Sequence, residues 1–136
     1  MCHNDAGPNN TVFQNEVPVA FIDFDMIAPG MPIEDLGYVA WTWCVSSKPE
    51  RGGAVHQASQ VRVLADEYGF ERGARSALYD ATLARMGRNV QFWEQIQTNE
   101  EYKLTTPEQI VDRIAWTRRE IEYMSANEGR FRDALT

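Results

Sequence analysis

Two short stretches of this 136-residue chain put acids where structure alone gives no reason for them. The first is His3-x-Asp5, followed by Asn10, inside the polar and turn-rich residues 3–10 that also hold Gly7 and Pro8. The second is Ile22-Asp23-Phe24-Asp25, where Asp23 stands at the end of an apolar, strand-like run. A carboxylate ending a buried strand is costly unless it binds something. One Asp in a loop, an amide oxygen beside it and a second Asp on the next strand can converge on one point. Such a set supplies hard oxygen ligands for Mg²⁺ and leaves one Asp over as a base. A zinc set drawn from Cys2, His3, Cys44 and His56 has no C-x-x-C or H-x-x-x-H spacing to support it.

The elements that must hold these residues make an α+β chain, mostly α, forming a single domain over 1–136. Residues 11–13 and 18–24 read as strands joined by a tight turn at 14–17. The two prolines and the glycine within 25–32 demand a loop. Helical spacing then runs through residues 33–45, with Glu34 and Asp35 favourable at the N-terminus and Leu36, Val39, Ala40 and Trp43 recurring. Tyr38, Trp41 and Trp43 read as core rather than as a stacking platform. After a linker at 46–53, a second helix spans 54–68, with Gly69 placed to close it in the left-handed region and Phe70 to fold back on Leu64. A third covers 74–97. The fourth has the clearest start, Thr106-Pro107-Glu108-Gln109, and runs to about residue 134 through Ile110, Ile114, Ile121, Met124 and Phe131.

Composition narrows the function. The net charge is −7, and the first fifty residues carry −6 of it, which sets the chain against phosphate backbones and anionic membrane surfaces. No apolar run approaches the roughly 20 residues needed to cross a bilayer. Two cysteines make no disulfide framework, and the N-terminus has no signal-peptide pattern, so a cytoplasmic setting is expected. The acids of the last three helices are matched by arginines and read as solvated faces.

The order His3-x-Asp5-x-x-x-x-Asn10, a hairpin, Ile22-Asp23-Phe24, then Pro29-Gly30-x-Pro32-x-x-Asp35-Leu36 resembles the catalytic half of the aminoglycoside phosphotransferase family. That family is related to choline kinases and the eukaryotic protein kinases. Leu64-Ala-Asp-Glu-Tyr-Gly69 is similar to its bacterial trifolitoxin-immunity-like branch. The resemblance implies a kinase-like C-lobe, with the hairpin carrying the catalytic loop and about four helices behind it. It implies Asp5 as catalytic base, Asn10 and Asp23 as Mg²⁺ ligands bridging to the β- and γ-phosphates, and His3 as a brace. Asp35 would bond back to the catalytic loop, and Asp25 would support the metal or substrate region. Mg²⁺ and ATP, or GTP, are the implied cofactors, and a small-molecule hydroxyl compound, a cationic one among the alternatives, is the implied acceptor.

The chain departs from that pattern in three places. Asn4 stands where the family usually has Gly, an exchange eased by the tolerance of Asn for left-handed backbone. Gly7 stands where a second His is common. No glycine-rich phosphate loop, strand lysine or helical Glu partner occurs, the only lysines being Lys48 and Lys103. The expectation is therefore a catalytic lobe without its N-terminal ATP-binding lobe, inactive alone and active only with such a lobe from elsewhere or as part of a longer protein; a complementing N-lobe or a homo-oligomer is the expected protein partner. The alternatives are a non-enzymatic, immunity-type partner-binding domain and a truncated gene product.

Overall fold

The computed structural model describes residues 1–102 and 104–136, so Lys103 lies outside the described residues. An antiparallel hairpin opens the fold and five helices follow. Strands β1 (Thr11–Gln14) and β2 (Val17–Phe21) pair with Thr11 opposite Phe21 and Gln14 opposite Val17. Asn15 and Glu16, at φ of 48° and 65°, make the two-residue turn whose twist suits paired strands. Pro18 is tolerated because both strands of a two-stranded ribbon are edges.

Two expectations about this ribbon are corrected. Strand β2 ends at Phe21 rather than at residue 24, because Asp23 turns the chain with a φ of 62°. Nor is the ribbon buried: every residue of β2 is exposed, and so is Asp23. Burial therefore gives no account of Asp23. Its left-handed backbone, costing on the order of 1 kcal/mol in a non-glycine residue, is the better mark of a special position.

The expected helix over 33–45 divides in two. Helix α1 (Pro32–Val39) starts with proline in its first turn, and the Glu34 carboxylate accepts the Met31 N–H at 3.1 Å. A π-helical turn, Ala40–Cys44, continues it, with the Val45 N–H reaching back five residues to the Ala40 carbonyl at 3.2 Å. The wider turn buries Trp41 and lets the Trp43 indole N–H donate to the Ala6 carbonyl at 3.1 Å.

Helix α2 (Ala54–Glu67) closes as expected, with Gly69 at φ 85° and the Phe70 N–H on the Ala65 carbonyl at 3.0 Å. Helix α3 (Arg72–Gln97) begins two residues earlier than its spacing suggested. Helix α4 (Pro107–Ala126) has the expected capping box, Thr106 Oγ1 accepting the Gln109 N–H at 3.2 Å and the Gln109 side chain accepting the Thr106 N–H at 3.1 Å. It does not run on to residue 134. Asn127 leaves helical geometry at φ −113° and ψ 18°, and its side-chain amide donates to the Tyr123 carbonyl at 2.8 Å. Helix α5 (Glu128–Leu135) restarts from there and buries Phe131 and Leu135 completely, packing against α2.

Helix α3 is central, with α1, α4 and α5 against it and Leu78, Tyr79 and Met86 at its buried face. A smaller cluster of Trp93, Ile110 and Ile114 closes the far end of the α3–α4 contact. The linker over 46–53 is firmly held. The Gln57 side chain exchanges hydrogen bonds with the Ser46 backbone at 2.9 Å each way, and the buried Glu120 carboxylate takes the Ser47 N–H and hydroxyl, both at 2.7 Å.

At Gly37 helix α1 comes so close to α3 that an added Cβ would stand 2.8 Å from the Ala81 carbonyl oxygen. Backbone cannot swing aside as a side chain can. Gly37→Ala is expected to destabilise the fold by roughly 1–3 kcal/mol. Gly87→Ala, in mid-α3 with open space around it, should gain up to about 1 kcal/mol from helix propensity alone. Urea midpoints of the two variants check the contrast, and equal shifts would contradict the close α1–α3 approach.

Candidate functional site

The loop ahead of the hairpin is built on a carboxylate. Asp35, in the first turn of α1 where negative charge is favoured, accepts the His3 N–H through Oδ2 and the Asn4 N–H through Oδ1, both at 2.7 Å. This is the bond back to the loop that the sequence led us to expect. Asn4 adopts φ 64°, the left-handed backbone that asparagine accepts more readily than most residues, and its side chain donates to the Met26 carbonyl at 2.9 Å.

His3 links the loop to the end of the hairpin. Its Nδ1 accepts the Asp5 N–H at 3.3 Å, which leaves Nε2 as the donor to the Ile22 carbonyl at 3.1 Å. The Ile22 N–H in turn donates to the Asn10 carbonyl at 2.9 Å. Asp23 thus follows directly the residue paired with Asn10.

Asp5 and Asn10 are in contact. The Asn10 amide nitrogen donates to Asp5 Oδ2 at 2.7 Å and to the Asp5 carbonyl at 2.9 Å. Its amide oxygen then faces away from these bonds, with no donor among the described residues. The other Asp5 oxygen accepts a short hydrogen bond from the Tyr38 hydroxyl. Burial, and then this bond to a carboxylate, hold the Tyr38 phenol above its ordinary pKa, so it stays a donor through the neutral range. Tyr38 is therefore not simply core, as its aromatic neighbourhood suggested. It is half-buried and lines the site, whereas Trp41 is core. The signal for its role was its position one turn after Asp35, on the same face of α1.

Arg85 is a residue that the sequence did not reveal. It reaches from α3 to donate to the Asn4 carbonyl at 2.6 Å and lays its guanidinium 4.6 Å from the centre of the Tyr38 ring. Desolvation lowers its pKa from the usual arginine value. Its hydrogen-bond partner Asn4 lies 81 positions away in sequence and Tyr38 is also distant, beyond any local pattern.

These groups line one end of a cleft of about 1110 Å³. Asp5, Asn10, Tyr38 and Trp41 form one wall, Arg85, Asn89 and Trp93 of α3 another, and Arg113 and Trp116 of α4 the third. Trp41 stacks on Trp116 with ring centres 4.9 Å apart, and the buried Trp41 indole N–H has no hydrogen-bond partner among the described residues. Asp23 and Asp25 are exposed at the hairpin exit and are not among the described residues lining the cleft.

No three His, Cys, Asp or Glu side chains come together as a metal cluster among the described residues. The zinc set considered above is accordingly not assembled. An amide oxygen on Asn10 and an exposed carboxylate on Asp23 fit a different case. Mg²⁺ is commonly held by one or two protein oxygens, with substrate phosphates and water completing its shell.

If Asp35 anchors the loop, its removal leaves two backbone donors without their charged acceptor. Asp35→Ala is expected to cost on the order of 3 kcal/mol, and Asp35→Asn less because one acceptor oxygen survives. Denaturant midpoints measure both. A loss under about 0.5 kcal/mol in Asp35→Ala would place the anchor elsewhere.

Comparison with known proteins agrees with this geometry. The phosphotransferase enzyme family matches residues 1–78, which take in the loop, the hairpin, α1, α2 and the start of α3. The trifolitoxin immunity protein of Rhizobium leguminosarum bv. trifolii is 30% identical over 84 residues, covering 57% of this chain and 32% of that protein. The chain thus matches about a third of that relative's length. No solved structure matches the chain. With more than half of its residues inside the family match, and the loop and hairpin at its start, this chain belongs to the phosphotransferase enzyme family.

Proposed function

We propose that the chain is the catalytic lobe of an ATP-dependent phosphotransferase that moves a γ-phosphate to the hydroxyl of a small molecule. The observation that carries this reading is the Asp5–Asn10 pair, held at the mouth of a cleft by Asp35 and His3. In this reading Asp5 receives the acceptor hydroxyl and takes its proton as the phosphate is transferred. The hydroxyl displaces Tyr38 or Asn10 from one carboxylate oxygen, and the other keeps its bond, so the base does not swing. Asn10, through its free amide oxygen, and Asp23 hold Mg²⁺, which when bound offsets charge on the β- and γ-phosphates. His3 fixes the distance between the two ends of the site, and Asp25 supports the hairpin exit. Most of the rate gain then comes from positioning and charge neutralisation.

A nucleotide also needs a glycine loop and a strand lysine, and neither occurs in these 136 residues. In this reading an ATP-binding lobe supplies both and approaches the hairpin. The exposed apolar side chains Val17, Val19, Phe21, Ile22 and Phe24 offer it a surface. The same exposed ribbon supports a second reading, a partner-binding domain of immunity type that uses the fold without turnover.

The two readings separate in one experiment. The 136-residue chain alone is expected to show no ATP-dependent phosphorylation, and the chain joined to an ATP-binding lobe should show it. In the joined protein Asp5→Asn is expected to lower kcat by about a hundredfold or more with little change in KM. Asn10→Ala and Asp23→Ala should raise the Mg²⁺ concentration required. Full activity in Asp5→Asn, read by steady-state kinetics, would remove Asp5 from the chemistry and favour the binding reading.

A further inference from the structure

The cleft beside Asp5 is positively charged in a molecule whose net charge is −7. Lys48, Arg51, Arg85, Arg88 and Arg113 line it, and Asp5 is the carboxylate among the described lining residues. Outside the cleft Arg62 is neutralised by Asp66 at 2.7 Å, Arg118 by Glu94 at 2.6 Å and Arg132 by Asp80 at 2.7 Å, whereas Arg72, Arg119 and Arg130 have no acidic side-chain partner among the described residues. In the cleft Arg88 alone of these five has an acidic partner among the described residues, Glu34 at 3.8 Å. Such an excess of like charge in a partly enclosed site repels itself, and an anion relieves the repulsion.

The cations are also set against aromatic faces. Arg85 stacks over Tyr38 at 4.6 Å and Arg113 over Trp93 at 4.5 Å. Stacking fixes the plane of each guanidinium; Arg85 spends one N–H on the Asn4 carbonyl, and its other N–H groups and those of Arg113 are left for a carboxylate or phosphate. The stacked Trp41 and Trp116 complete the apolar wall.

From the juxtaposition of these cations, four of the five without an acidic partner among the described residues, and aromatic walls with the Asp5 carboxylate, we propose that the acceptor is a flat hydroxyl compound bearing a carboxylate or phosphate. The inference rests on the phosphotransferase reading and names the substrate class of the same site. A cationic acceptor, among the alternatives implied by the sequence resemblance, would meet guanidiniums on two walls. The one carboxylate there is already bonded to Tyr38 and Asn10. The anionic oxygens that suit these cations can also come from the nucleotide's own phosphates. Arg85 and Arg113 stand on α3 and α4 around Tyr38, while Asn10 and Asp23 mark the metal side at the hairpin, and this favours the acceptor.

The test reads binding without turnover. Trp41, Trp93 and Trp116 line the cleft, so intrinsic fluorescence reports its occupancy. The 136-residue chain is titrated with 4-hydroxyphenylacetate, with tyramine, which keeps the ring and hydroxyl but reverses the charge, and with ATP. The acid is expected to bind at least about tenfold more tightly than tyramine, the equivalent of about 1.4 kcal/mol, and to weaken as salt rises. Arg113→Gln should erase most of that preference. Arg113 is exposed and has no carboxylate partner among the described residues, so its loss leaves the core intact. Lys48→Gln, on the exposed loop, is the second variant and should reduce the preference by a smaller factor.

Equal or tighter binding of tyramine overturns the proposal, and so does a lack of response to the acid at millimolar concentration. A preference for the acid unchanged in both variants also overturns it. An arginine dependence confined to ATP assigns the cations to the nucleotide and overturns it too. Asp5-dependent transfer in the joined protein is a separate measurement, so failure of the charge preference is distinguishable from failure of the phosphotransferase reading.

Discussion

Two hydrogen bonds from backbone N–H groups to one carboxylate hold the candidate site in place. Asp35 fixes His3 and Asn4 against the first turn of α1, and only with those two residues fixed does Asp5 stand at the mouth of the cleft. His3 then carries the constraint across to Ile22, and Ile22 carries it back to Asn10. The ring of contacts therefore runs from helix to loop to strand end and closes on itself. The links through Ile22 are single hydrogen bonds, those at Asp35 and between Asn10 and Asp5 are double, and hydrogen bonds within such a network reinforce one another where water is partly excluded. The left-handed backbone of Asn4 falls within this ring, where surrounding bonds can hold a residue in a conformation it would not choose, and that of Asp23 follows directly on Ile22.

The opposite side of the cleft depends on a different pair of anchors. The loop bearing Lys48 and Arg51 leaves the π-helical turn and would be free over several residues if only its sequence were considered. Gln57 and Glu120, both fully buried, tie it to α2 and α4. A buried carboxylate is tolerated there because both its oxygens accept hydrogen bonds from Ser47. Consequently both rims of the cleft are fixed to helices of the central core.

What could be read from the residues themselves was local. The hairpin turn, the glycine that ends α2, the capping box of α4 and the asparagine in place of glycine at position 4 each depend on neighbours within a few positions, and each is present. The break at Asn127 was hidden because residues 121–131 keep helical spacing on both sides of it. One side-chain amide bonding to a carbonyl decides the matter, and spacing does not register it. The ribbon's exposure was misjudged because apolar strands are usually covered, and a pattern of residue types does not say by what. Arg85 and Arg113 eluded the sequence for a simpler reason. Arginine on a helix is nearly always solvated, and only the packing of α3 against α1 and α4 turns these two toward Tyr38 and Trp93.

The uneven charge of the chain takes on a definite meaning once the cleft is drawn. Six of the seven net negative charges belong to the first fifty residues, and Asp23 and Asp25 place two of those acids in the open at the hairpin exit. Helices α3 and α4 contribute Arg85, Arg88 and Arg113 to the cleft, and the loop after the π-helical turn adds Lys48 and Arg51. The proposed metal side and the proposed acceptor side thus carry opposite signs, with Asp5 between them and bonded to both, through Asn10 on one oxygen and Tyr38 on the other. A divalent cation is drawn to the first side and an anion to the second, so the two ligands are sorted before any close contact forms. On the proposed reading the acceptor hydroxyl is brought to Asp5 by its far, charged end, and the part that reacts needs no strong attraction of its own.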